Sequence, residues 1–189
     1  MDKKKLIGTI IGVVAFAALI AGATYAWFSF ALNVTTGTYN ATTQNFIVTY
    51  TKGTNITSAP PVLSTPTASG ASSLVVSAYR TSDVATGTLY IKLTTTSTDA
   101  LTTSGVVRWA VCKSTSSSDS GCTSLASGQT GVVATGSVTA ASTINLYSEA
   151  IPTTQTYYYV YFWLDGATYG EAHINKTYSG YIHASATQN

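Results

Sequence analysis

The chain has 189 residues and little charge: 8% of the residues are Asp, Glu, Lys or Arg, while 45% are hydrophobic. Beyond residue 26, six basic residues balance six acidic ones, which leaves no basic patch to follow a phosphate backbone and excludes nucleic acid as an expected partner. So little charge also gives copies little mutual repulsion, which favours self-association.

The amino terminus has the pattern of an export signal. Three lysines at positions 3–5 precede an uncharged apolar run over residues 6–23, followed by small residues suited to cleavage before Trp27. The run is also long enough to remain as a membrane-spanning helix. We therefore assign residues 1–26 to a signal peptide or membrane anchor. The chain is expected to be secreted or held at the cell surface, with membrane contact through this segment alone.

The remainder is rich in Thr, Ser, Ala, Gly, Val and Tyr, which suit strands and turns better than helices. Several segments alternate apolar and polar residues with period two, as half-buried strands do. The apolar faces are Phe46, Val48 and Tyr50; Leu74, Val76 and Ala78; Leu89, Ile91 and Leu93; and Val107, Trp109 and Val111. Arg108 and Lys113 are expected to face outward. The pattern predicts an all-β antiparallel sandwich over residues 45–189, preceded by an extended segment over residues 27–44.

Two cysteines, Cys112 and Cys122, are separated by a short Ser-rich spacer. In an exported chain such a pair predicts a disulfide, and closing so short a loop stabilises the fold by about 2–3 kcal/mol. Two free thiols are the alternative interpretation.

The strongest apolar run covers residues 157–164 and is aromatic on both faces. One face carries Tyr158, Val160, Phe162 and Leu164, and the other carries Tyr157, Tyr159, Tyr161 and Trp163. A strand that is apolar on both faces is either covered on both faces by its own chain or presents one face to a partner. The second face is therefore a candidate interface, or a cross-strand tyrosine ladder with solvated hydroxyls. The last strand is predicted over residues 178–186, where Gly180 allows a bend or a close backbone approach.

The sequence gives little support to an enzyme. The only histidines are His173 and His183, and neither stands in a catalytic or metal-binding motif. Together with Glu171 they could approach one another as metal ligands, but their spacing is that of polar residues on an outward face. No catalytic residue, cofactor or metal is therefore expected.

Four Asn-x-Ser/Thr sequons could carry N-linked glycans on an exported surface. They are Asn33, Asn40, Asn55 and Asn175.

The residues 23–29, Ala-Thr-Tyr-Ala-Trp-Phe-Ser, follow the lysines and the apolar run. This start, with the downstream Thr-Gly-Thr at 36–38 and Phe-Ile-Val at 46–48, resembles that of TasA and camelysin-like proteins. The resemblance implies a jelly-roll sandwich whose members form extracellular biofilm fibres, with the segment after the signal donated as a strand to the next subunit. It covers about the first fifty residues. A peptidase activity described for camelysin-like proteins finds no metal-ligand motif here.

In this chain the donor segment would be residues 27–39. Its candidate strand residues are Ala31, Leu32, Val34 and Tyr39, and the sheet around residues 157–164 is the candidate acceptor. An extended Thr- and Val-bearing segment can add to an open sheet edge, although it can equally form the first strand of its own domain.

Two hypotheses follow. The first is a structural subunit of an extracellular filament, with copies of the chain itself as partners. The second is a monomeric or membrane-anchored surface adhesin, a carbohydrate-binding module whose aromatic platform meets glycans or the cell envelope.

Overall fold

The computed structural model describes the backbone of residues 29–31, 38–42, 46–51, 60–80 and 86–188, and the side chains of residues 60–80 and 86–187. Within these ranges the regular secondary structure is almost all β-strand, with one helical turn at Ala100–Thr103 and a 3-10 turn at Glu171–His173. This confirms the predicted all-β class. In the part of the chain described, no helix has the length and apolar character needed to cross a bilayer. The expected signal or anchor, residues 1–26, lies outside that part.

Eleven strands are described in these ranges. Their bounds are β1 Ser29–Ala31, β2 Thr38–Thr42, β3 Phe46–Thr51, β4 Val62–Leu63, β5 Ser72–Arg80, β6 Gly87–Thr95, β7 Val107–Ser114, β8 Val132–Ser137, β9 Thr143–Ala150, β10 Thr156–Asp165 and β11 Gly180–Gln188.

The strands form two sheets. The smaller sheet has the order β1-β11-β6-β9, and the larger has the order β2-β3-β5-β10-β7-β8, with β4 also paired to β10. The described pairings are antiparallel apart from the short β4–β10 contact. The arrangement is therefore that of an antiparallel sandwich.

The main core lies between the sheets, where the inner faces of their strands meet. Alternation along β5, β6 and β7 turns inward the residues that the sequence predicted, and all nine are at least nine-tenths buried. The inner residues of β10 join the same cluster. β3 is confirmed as a strand, but its side chains lie outside those described.

Gly180 begins β11 where a side chain would not fit. A Cβ at this position would lie 2.9 Å from the carbonyl oxygen of Thr94 and 3.0 Å from the hydroxyl of Tyr178. The expected close backbone approach at Gly180 is therefore confirmed, and it lets the Tyr178 and Thr95 hydroxyls meet at 2.7 Å.

A second apolar cluster lies on the outer face of the larger sheet. It contains Tyr159, Tyr161 and Trp163 from β10, together with Ala110 and Cys112 from β7. β10 is apolar on both faces because both faces are buried.

Candidate functional site: the aromatic face and the sheet edges

The outer aromatic face of β10 is covered by the chain itself. Tyr159, Tyr161 and Trp163 are only 6–7% exposed, and Tyr157 is half-buried. Two stretches, residues 60–71 with the short β4 and the irregular residues 115–131, supply the cover and are called here the covering segments. The prediction of an exposed aromatic interface or platform is corrected for these three residues, since nothing in the alternation of β10 shows what lies above it.

The hydroxyl of Tyr159 on this face is not simply solvated either. The Tyr159 hydroxyl donates to the backbone carbonyl of Ser116, at 2.9 Å, in the second covering segment. Burial raises the pKa of Tyr159, with smaller contributions from the neighbouring tyrosines and Asp119.

The two covering segments are joined to each other and to the sheet. The Ala68 amide donates to the Thr123 carbonyl at 3.1 Å, and the Leu125 amide donates to the Pro66 carbonyl at 3.0 Å. The predicted disulfide is confirmed: Cys112 on β7 is bonded to Cys122, with their Cα atoms 6.3 Å apart. It ties the second covering segment to the sheet beneath.

β10 cannot accept a strand from another subunit. Along one edge it pairs with β5 and β4, and along the other it pairs with β7. The expectation that the sheet around residues 157–164 would receive a donor strand at this position is therefore corrected, because a central strand has no edge to offer.

The candidate donor segment, residues 27–39, supplies strands to both sheets. Ser29–Ala31 (β1) pairs with β11 through three residue pairs, Ser29 with Thr187, Phe30 with Ala186 and Ala31 with Ser185. Tyr39 lies in β2, which pairs with β3 at the end of the larger sheet. Leu32 and Val34 lie outside the described residues. Both described pieces stand at the outermost position of a sheet.

A polar cluster that the alternation pattern did not predict joins the two sheets. Lys113 of β7 has the inward parity of Val111, and its Nζ donates to Glu149 Oε2 of β9 at 2.7 Å. The Tyr147 hydroxyl donates to the same oxygen at 3.0 Å, and the Tyr158 hydroxyl donates to Oε1. The expected outward direction of Lys113 is thus corrected. Its parity with Val111 was the signal available in the sequence, whereas its partner on β9 could not be read from it.

The charges of this cluster are set by burial and by its hydrogen bonds. Burial acts to raise the pKa of Glu149, but the hydrogen bonds from the lysine and the two tyrosines together hold that pKa below its ordinary value. Burial and the adjacent carboxylate raise the pKa of Tyr147 to about 12 and that of Tyr158 further still. Glu149 is therefore anionic and both tyrosines are neutral at ordinary pH.

One of the four sequons is described with its side chain. Asn175 is exposed and has a left-handed backbone, with φ of 60°. The Thr177 amide of the same sequon donates to Asp99 Oδ2 at 3.1 Å. Asn40 lies in β2 without a described side chain, and Asn33 and Asn55 fall outside the described residues.

The two histidines lie apart in the fold. His173 accepts a hydrogen bond from the Gly170 amide in the 3-10 turn that begins at Glu171, while His183 lies within β11 and contacts Thr94. Burial, and then the charge of Lys92, lower the pKa of His183. Within the described residues no group of three or more His, Cys, Asp or Glu could hold a metal ion.

Comparisons with protein-family models, with curated proteins and with solved structures found no match to this chain.

Proposed function

We propose that the chain is a structural subunit of an extracellular surface or biofilm-matrix filament, in which residues 27–39 of one copy complete a sheet of the next. The observation that carries this proposal is the position of β1, a three-residue strand at the outer edge of the smaller sheet. Its described strand pairing is with β11 alone. A strand held through one edge can come from the same chain or from a neighbouring copy with nearly the same contacts.

The fold we infer is a jelly roll, and the strand order supports it. Counting β1 and β5 to β11 as strands one to eight, the smaller sheet has the order 1-8-3-6 and the larger sheet contains the order 2-7-4-5. This order matches the one expected for an eight-stranded jelly roll built from two Greek keys. Strand one is then β1, which means that the sandwich is incomplete until an amino-terminal segment fills that position.

The sequence of the donor segment suits this position. Phe30 pairs with Ala186, which is buried in the main core, and Leu32 and Val34 share the parity of Phe30. In a donated strand, continuing the same antiparallel register would set Leu32 opposite the buried Ala184. Such alternation gives the donor an apolar face for the core and a polar face for solvent.

Three further features favour an exported, assembling protein. The amino terminus resembles TasA and camelysin-like proteins, the disulfide suits an oxidising compartment, and the low charge offers little repulsion between copies. The partners proposed are copies of the same chain, outside the cell or at its surface.

The proposal is tested by negative-stain microscopy of the purified secreted chain beside a variant lacking residues 27–39. We expect filaments from the full chain and monomers from the truncated one. A synthetic peptide of residues 27–39 should bind the truncated monomer at one to one and raise its unfolding midpoint, because it supplies the missing strand.

A matched pair of substitutions serves as the control. Val34→Lys places a charge on the apolar face of the donor and should abolish filaments. The same change at Val133, which is 36% exposed on β8, should leave them intact. Filaments from the truncated chain, or a full chain that stays monomeric at every concentration, would refute the proposal.

A further inference from the structure

A cleft of about 280 Å³ opens at the end of the outer aromatic face. Both covering segments contribute to it, together with the ends of β7, β8 and β10. Its apolar lining includes the indole of Trp163 and the side chains of Leu63 and Leu125. The volume is slightly below the range of about 300 to 1,000 Å³ of most small-molecule sites, so the cleft suits a ligand the size of a single ring.

A planar ion pair lines the same cleft. Arg108 donates from Nε and Nη2 to Asp165 Oδ2, at 3.2 and 3.0 Å, while Asp165 Oδ1 accepts from the Ala167 amide at 3.1 Å. The two side chains are 39% and 24% exposed, so a ligand can reach them. A guanidinium carries five N–H groups, and the three not used on Asp165 have no hydrogen-bond acceptor within the described residues.

Hydroxyl groups complete the polar lining, from Ser64, Ser127 and Thr135. The site thus combines a small apolar area with a charge-balanced pair and several hydroxyls. A phosphate or nucleotide is disfavoured because Arg108, the cation that lines the cleft, is already neutralised by Asp165. A lipid chain is disfavoured because it would cover the hydroxyls and the remaining guanidinium N–H groups without offering them hydrogen-bond acceptors. A pyranose ring matches both parts, because its C–H groups pack on the small apolar area that Leu63, Pro66 and the remaining exposed part of Trp163 offer, while its ring hydroxyls exchange hydrogen bonds with guanidinium, carboxylate and hydroxyl groups.

We propose that this cleft binds one pyranose ring of an extracellular glycan. The site is distinct from the β11 edge and does not depend on filament assembly. It is also preformed, since the Cys112–Cys122 bond and the Leu125–Pro66 hydrogen bond fix the segments that line it. Preorganisation of this kind lowers the entropic cost of binding.

The test is a titration of the purified full-length chain, followed by the indole N–H resonances in NMR spectra. The probes are methyl glycosides of glucose, galactose and N-acetylglucosamine, and methyl glucuronide is included as a negatively charged probe. We expect saturable shifts for at least one glycoside. Arg108→Ala should weaken that binding at least tenfold, because the substitution removes the guanidinium N–H groups that donate to the sugar hydroxyls.

Because Trp163 is buried, its replacement could impair folding. A substitution that fills the cleft from its exposed rim tests the proposal without disturbing the core. Ser127→Trp adds an indole at an exposed serine on the rim and should abolish binding with the unfolding midpoint unchanged. Ser148→Trp makes the same change at an exposed position on β9 and should bind like the original chain. Absence of saturable shifts with every probe, or equal binding by both tryptophan variants, would overturn the proposal.

Discussion

The two faces of β10 are buried to a similar degree but by different means. The inner face, with Val160 and Phe162, packs against strands of the opposite sheet in one continuous core. The outer face, with Tyr159, Tyr161 and Trp163, packs beneath irregular covering segments. The inner cover is held by ladders of backbone hydrogen bonds, whereas the outer cover is held by a disulfide and a few backbone contacts.

This difference implies that the two faces of β10 contribute differently to the stability of the fold. Loss of an inner side chain leaves a void that neighbouring strands cannot easily fill, because both sheets are held rigidly. Loss of the disulfide releases the outer cover without removing any core side chain. The folding energy of the sandwich should therefore depend most on the inner face, and the protection of the aromatic side on the Cys112–Cys122 bond.

The largest effect is expected from an inner truncation. Phe162 is fully buried between the sheets, and Phe162→Ala should lower the free energy of unfolding by about 3–5 kcal/mol, measured by denaturant titration. Tyr157→Ala, at a half-buried outer position of the same strand, is the control and should cost less. Equal losses for the two variants would mean that the faces do not differ as argued.

A smaller effect is expected from the outer face. Replacing both Cys112 and Cys122 with Ser should lower the free energy of unfolding by about 2–3 kcal/mol, because the unfolded chain regains the entropy of a short closed loop. Hydrogen exchange should rise within residues 115–131 and stay unchanged in β6 and β11. A reducing agent should reproduce the loss in the original chain and have no effect on the variant; exchange rising equally in both sheets would contradict the prediction.

The smallest effect is expected where the two sheets meet in the Lys113–Glu149 cluster. Glu149→Gln should cost about 1–2 kcal/mol near neutral pH, since it weakens charged hydrogen bonds from Lys113 and the buried Tyr158. The pKa of Glu149 is lowered in the folded state, so its contribution is complete above the ordinary glutamate pKa and is lost as the pH falls through the lowered one. Denaturant titrations at several pH values should show the two chains converging in acid. Glu171→Gln, at an exposed position, is the control and should show no such convergence.

Local pattern predicted most of the framework. Period-two alternation placed the inner residues of β5, β6 and β7, because side-chain direction along a strand is fixed by the backbone itself. The spacing of Cys112 and Cys122 predicted their bond, since a short polar spacer keeps two cysteines within reach of each other. Gly180 was likewise predicted to permit a close approach.

The sequence by itself thus determined the strands β3, β5, β6, β7, β10 and β11, the inward residues of β5, β6 and β7, and the disulfide. Only the tertiary structure decided that the aromatic face of β10 is covered, that Lys113 meets Glu149, and that β1 pairs with the last strand of the chain. Each of these features joins segments far apart in the sequence. Their encounter depends on the path of the whole chain, and alternation along a single strand carries no information about that path.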